Sequence, residues 1–204
     1  MFIIFGQGIG FITQIVIAAF FGADTNMDAF LAASAAPQYL MAVIIASLSV
    51  VLVPVFIDYM ASGRKEEAWQ IASSVINICF VTLFALTVLG LIFPDVILRL
   101  IAPGLSDTTH SLAVRVALIT WPGILAVASI SLLTSIYQSQ SHFGWPAAVP
   151  VLGAVANLLL IVIFTKWWGI FGLAVATTVG LVLQAFLLLP IALKTGNYRM
   201  SLDF

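Results

Sequence analysis

Few side chains in this sequence are able to do acid–base, nucleophilic or metal chemistry. Its 204 residues include two histidines, His110 and His142, one cysteine, Cys79, eight acids and seven bases. The histidines fall in different connections between apolar stretches, and no acid lies within the core of such a stretch to act as a buried general base. A Cys-based metal cluster needs several thiolates, and a lone Cys79 cannot form an internal disulfide. The run Gly6-Gln7-Gly8-Ile9-Gly10 sits inside an apolar stretch, with neither the preceding strand nor the following helix start that a nucleotide fingerprint requires. Gly6 and Gly10 are four apart on one helix face, a spacing that suits close approach of a neighbouring helix or a hinge. The sequence therefore predicts no enzyme, no metal and no cofactor. A formal net charge of −1 supplies no basic surface to track a phosphate backbone, so no nucleic acid is expected as a partner.

The chemistry that remains is hydrogen bonding from polar residues embedded in apolar helices, each of which must find a partner or line a wet cavity. Gln7, Thr13 and Gln14 lie in the first apolar stretch, with Gln7 and Gln14 seven apart and so on one face. Ser34 and Gln38 follow in the second, Asn77 in the third, Asn157 in the fifth and Gln184 in the sixth. Serines and threonines such as Thr177 and Thr178 are read as bonding back to their own helices. Arg115 is the one cation placed to point into a bundle from near a membrane boundary, with snorkelling to the headgroups as its other reading.

The elements that must hold these residues follow from composition. The chain is 63% apolar and 7% charged, against about a quarter charged in ordinary soluble domains. Its charges cluster between stretches of about 20 residues, the length a helix needs to cross ~30 Å of hydrocarbon. The predicted fold is an all-α integral membrane protein, a single bundle of six transmembrane helices over residues 1–204. The spans are about 1–21, 29–57, 69–93, 111–137, 147–165 and 170–193. Span 2 contains Pro37 and Pro54 and should kink. Span 4 should be capped by Ser106 or Asp107 and bend near Pro122. Asp95 and Arg99, four apart with apolar residues between, predict a short interfacial helix over about 95–101. Lys166-Trp167-Trp168 has the composition of a headgroup-level anchor. Arg64, Lys65, Lys194 and Arg199 on one side, against Arg99 and Lys166 with Arg115 on the other, place the N-terminus and the C-terminal tail in the cytoplasm.

Several stretches resemble the MurJ/MviN family of lipid-linked oligosaccharide flippases. Ala18-Ala19-Phe20-Phe21-Gly22-Ala23 with Asp28-Ala29-Phe30 is similar to that family's span 1 end. Val53-Pro54-Val55-Phe56, Arg99-Leu100-Ile101-Ala102-Pro103-Gly104, and Phe143 with Pro146-Ala147-Ala148-Val149-Pro150 and Asn157 resemble its later motifs. So does Gly172-Leu173-Ala174 with Gly180, Gln184 and Leu189-Pro190. The resemblance implies the N-terminal half of a fourteen-span fold, in which a C-terminal bundle of the same protein would complete a central cavity. It also implies alternating access that carries a lipid-linked glycan headgroup from the cytoplasmic to the outer leaflet of a bacterial cell membrane, the lipid tail staying among membrane lipids. Where the resemblance places two cavity arginines and an adjacent acid in span 1, this sequence has Gln7, Thr13 and Gln14, and the arginines near the span 2 proline are replaced by Ala35, Met41 and Ala42. This half therefore offers hydrogen bonds and little positive charge to a diphosphate. The candidate cavity set is Gln7, Thr13, Gln14, Ser34, Gln38, Asn77, Arg115, Asn157 and Gln184. The alternatives are a non-transporting membrane scaffold of the same fold, or a multidrug or other polysaccharide exporter of the same superfamily.

Overall fold

A computed structural model describes residues 2–139 and 144–194, and every described element is helical. The predicted polar connection around Gln140, Ser141 and His142, and the tail carrying Arg199, lie outside the described residues. Helix α1 covers Phe2–Phe21, α2 Thr25–Ala61, α3 Lys65–Ile92, α4 Pro94–Ile101, α5 Asp107–Thr120, α6 Gly123–Ser139 and α7 Gly144–Lys194.

Turns fall where the backbone chemistry demands them. Gly22 and Gly63 adopt positive φ, 55° and 77°, at the ends of α1 and α2. Inside α7, Gly169 has φ 55° and ψ −130°, which breaks the helix into two arms that fold back on each other. Pro37 and Pro54 both lie within the continuous α2. By contrast, Pro122 interrupts the fourth apolar stretch and divides it into α5 and α6.

Among the described residues, two runs are long and apolar enough to cross a membrane, Asp107–Ser131 and Gly144–Leu189, with mean hydropathies of 1.8 and 2.5. The second is 46 residues long and bends back at Gly169, so it supplies two lengths of helix. The pair Asn77–Ile92 and Pro94–Ile101 counts as a third span if its 96° bend lies within one crossing, and Phe5–Phe21 is a shorter apolar helix. Apolar side chains cover the outside, among them Phe84, Leu159, Ile163 and Phe186, each more than half exposed, as expected where the surrounding medium is hydrocarbon.

Helix packing relies on small residues rather than on an apolar stripe. Ala29 and Ala33 of α2 are fully buried in the same core cluster as Ala113, Val116 and Ala117 of α5, also fully buried. Because lipid is as apolar as leucine, association depends on close van der Waals contact, which small side chains permit. Ser106 takes the cap of α5, its Oγ accepting from the Thr109 N–H at 3.3 Å. Helix α4 buries Leu98, leaves Val96 and Leu100 outward, and closes an Arg99 Nε to Asp95 Oδ2 ion pair at 3.1 Å. His110, at the start of α5, faces the same carboxylate with Nδ1 3.6 Å from Asp95 Oδ1.

The close helix approaches occur at glycines other than those the sequence singled out. A side chain at Gly6 would meet only Val151 at an ordinary 3.7 Å, and nothing lies within 4 Å of the Cβ position at Gly10. The expectation that Gly6 and Gly10 together seat a neighbouring helix is corrected for Gly10, which is exposed. Instead, Gly90 of α3 lies under the Trp121 ring, and Gly172 lies against the Phe164 carbonyl across the α7 bend. In both places a Cβ would overlap atoms already there.

Candidate polar face of the bundle

Helix α1 is held to the bundle by α7, and α2 by α5, α3 and α4, while α1 and α2 make no extended contact with each other. The two helices leave their shared turn and separate. On α1, Gln7, Phe11 and Gln14 are exposed, as are Phe5, Ile12 and Ile15, and the two amides lie two turns apart, about 10 Å along the axis. On α2, Gln38 and Tyr39 are exposed, Tyr39 to 70%. Primary amides have four hydrogen-bonding sites each, and hydrocarbon satisfies none of them. This face is therefore built for water, a polar cargo or a second protein surface.

The nine candidate residues separate into groups. Gln7, Gln14 and Gln38 lie on the open faces of α1 and α2. Thr13 is half-buried and spends its hydroxyl on the Ile9 carbonyl of its own helix at 2.8 Å. Ser34 is 8% exposed, on the packed side of α2. Asn77 is half-buried on α3. Arg115 is exposed on α5, with no acidic partner among the described residues.

Asn157 and Gln184 belong to a different structure, the folded-back pair of α7 arms. A Cβ at Gly180 would lie 3.1 Å from Asn157 Cβ and Cγ, and one at Gly153 would lie 3.0 Å from Gln184 Oε1. Each arm thus places an amide over a glycine of the other, four residues apart and in antiparallel register. Asn157 Oδ1 is buried there without a hydrogen-bond partner. These two residues pack the arms against each other rather than joining the open face of α1 and α2.

The electrostatics are correspondingly plain. Every charged side chain described is exposed, so the packed interior holds no ion, and no three His, Cys, Asp or Glu side chains gather among the described residues. The arrangement can donate and accept hydrogen bonds along α1 and α2.

Sequence reasoning missed several contacts that the fold uses. Thr178 bonds back to Ala174 O of its own helix at 2.9 Å, as its sequence position suggests, but its one hydroxyl proton is shared with the Ile119 carbonyl 3.0 Å away, fifty-nine residues off, which the sequence does not indicate. Trp121, 2% exposed, seats on Gly90. Tyr137 donates to Leu188 O at 2.7 Å, beside Trp145 Nε1 to Leu187 O at 3.0 Å. The available signal was proline: Pro122 and Pro190 each remove a helix N–H donor nearby, and neighbouring side chains reach the carbonyls of those turns.

Comparison with known proteins agrees with this architecture. The family model described as "Lipid II flippase MurJ" matches residues 17–202. The lipid II flippase MurJ of Thermosipho africanus is 29% identical over 195 residues, covering 95% of this chain and 40% of the relative. A probable lipid II flippase MurJ of Buchnera aphidicola subsp. Acyrthosiphon pisum is 28% identical over 191 residues, covering 91% of this chain and 37% of the relative. A solved lipid II flippase MurJ in an inward closed conformation superposes with a TM-score of 0.77 at 25% identity, over 98% of this chain and 42% of that one. The chain thus spans about 40% of the length of the relatives it matches. With the family model covering residues 17–202 and the fold superposing along nearly the whole chain, this all-α membrane protein belongs to the lipid II flippase MurJ family.

Proposed function

We propose that this bundle is one half of a transporter that flips a lipid-linked glycan precursor of the lipid II type from the cytoplasmic to the outer leaflet of the bacterial cell membrane by alternating access. The observation that carries the reading is the pair of separated helices α1 and α2, which leave Gln7, Gln14 and Gln38 exposed on otherwise apolar surfaces. A second bundle facing them closes a hydrophilic cavity. The amides hydrogen-bond sugar hydroxyls and phosphate oxygens, Arg115 offers positive charge, and the remaining cations come from that second bundle. The lipid tail stays in the bilayer and no covalent bond changes. The N-terminus and the tail after α7 lie in the cytoplasm, following the distribution of lysine and arginine.

The test uses the whole gene product in vesicles containing a fluorescent lipid-linked disaccharide, with flipping read by accessibility to a membrane-impermeant quencher. Replacing Gln14 by Trp fills the open face and is expected to abolish flipping. Ile163→Trp on the lipid-facing surface, 53% exposed in the native chain, is expected to leave it intact. If Gln14→Trp flips normally, the face does not line the cavity. If the unaltered protein shows no flipping of any lipid-linked glycan, the membrane-scaffold reading replaces transport.

A further inference from the structure

The join between α5 and α6 combines features that a merely bent helix lacks. Its last regular bond is Trp121 N to Ala117 O at 2.9 Å, after which Ile124 N reaches only to Trp121 O at 3.0 Å and Leu125 N to Pro122 O at 3.2 Å. The ladder changes from four-residue to three-residue steps where Pro122 lacks a donor. Thr178, on the second arm of α7, closes part of the gap by donating to Ile119 O. A Cβ at Gly123 would lie 3.3 Å from Leu181 Cδ1 and 4.0 Å from the Thr178 hydroxyl, so the same arm supports both sides of the break.

The Trp121 side chain is the second observation. Its ring is buried on Gly90, a seat only a glycine provides, yet its buried indole N–H has no hydrogen-bond partner among the described residues. Buried tryptophans usually bond this group, and leaving it unmet is unfavourable. An unmet buried donor is satisfied by any arrangement that brings it an acceptor. The two sides of the break are also anchored differently. Helix α5 packs mainly on α2, while α6 packs mainly on α7 and α3.

From these facts we infer that the Trp121–Pro122 break is a pivot between α5 and α6. The Thr178 hydroxyl pins it in the position described here, and it is released to a second position in which the Trp121 N–H finds an acceptor. On release, the single Thr178 hydroxyl proton, shared here between Ile119 O and Ala174 O, goes wholly to Ala174 O of its own helix. The α2–α5 unit then tilts against the α6–α7 unit about a single peptide. Neither the cargo nor its direction enters this argument, so it stands apart from the transport reading.

The test measures the angle between the two helices directly. Spin labels at Ser111→Cys on α5 and Ser131→Cys on α6, both exposed sites, in a Cys79→Ser background of the whole gene product in lipid vesicles, lie about 30 Å apart along the helix axis. Pulsed dipolar spectroscopy is expected to give two distance components. Thr178→Val should change their ratio about threefold or more, the effect of losing one hydrogen bond, while Thr178→Ser restores it. Pro122→Ala, which returns a donor to the ladder, should leave one component. A single distance common to the unaltered protein, Thr178→Val and Pro122→Ala overturns the pivot, and so does a Thr178→Ser chain that behaves like Thr178→Val. Should Thr178→Val fail to insert, the Pro122→Ala and Thr178→Ser distributions decide in the same terms.

Discussion

Gly180 sits directly against Asn157, close enough that a Cβ on Gly180 would be 3.1 Å from the Asn157 Cβ and 3.3 Å from its Oδ1. The neighbouring pair repeats the relationship with the roles exchanged, since Gln184 lies over Gly153. Two amides and two glycines thus hold the arms of α7 in register across the Gly169 bend.

A double-mutant cycle tests that register. Gly180→Ala forces Asn157 to yield by a few tenths of an ångström, whereas in an Asn157→Ala background the added methyl has room. The expected coupling is about 0.5–1 kcal/mol, with Gly180→Ala less harmful in the truncated background. The cycle cancels the helix-propensity gain of alanine over glycine, so the sign is unaffected by it. Unfolding by sodium dodecyl sulfate titration in mixed micelles gives the four stabilities, and strict additivity would mean that the two residues do not press on each other.

Gly172 presents a harder case because its neighbour is backbone. The Phe164 carbonyl occupies the space that a side chain would take, and a carbonyl inside a helix cannot swing aside as the end of a flexible side chain does. Gly172→Leu is expected to cost about 3 kcal/mol or more and to lower the yield of folded protein sharply. Gly8→Ala, inside α1 with nothing within 4 Å, is the control and should hold stability or raise it by up to about 1 kcal/mol, the helix-propensity gain of alanine over glycine. Equal thermal midpoints for the two variants in detergent would show that the arms separate more easily than their contact implies.

The far end of the α7 pair depends on a hydrogen bond instead. Tyr137 is 2% exposed and its hydroxyl donates to Leu188 O at 2.7 Å, linking α6 to the second arm of α7. Tyr137→Phe keeps the ring and removes only the donor, and is expected to cost about 1–2 kcal/mol. Trp145→Phe removes the adjacent but exposed donor to Leu187 O and should cost less, because lipid headgroups or water replace it. The measurement is the same detergent titration, and a larger loss for Trp145→Phe than for Tyr137→Phe would reverse the assignment.

Much of the architecture was legible in the residues because membrane helices satisfy their own backbone groups. Once charge is confined to clusters about 20 residues apart, helix is the only economical conformation between them. Pro122 announced a bend and the Ser106-Asp107 pair a cap for α5, of which the structure uses Ser106, since both are local effects of a ring without an N–H and of a side-chain oxygen beside orphan amides. The candidate polar face was legible only in part. Gln7 and Gln14 stand seven apart, so helix geometry alone puts them together, but nothing in their spacing says whether α2 packs against that face or moves away from it.

The sequence by itself determined the solvent of this chain and its helical class, because those depend on composition and on contacts within a few residues. Only the tertiary structure decided that Asn157 and Gln184 pack against glycines while Gln7, Gln14 and Gln38 remain open, and that Thr178 spans fifty-nine residues to reach Ile119. The physical reason is that a helix in lipid is apolar both where it meets hydrocarbon and where it meets another helix. Periodicity therefore does not mark the packed face, and only close approach at Gly90, Gly153, Gly172 and Gly180 reveals which surfaces touch.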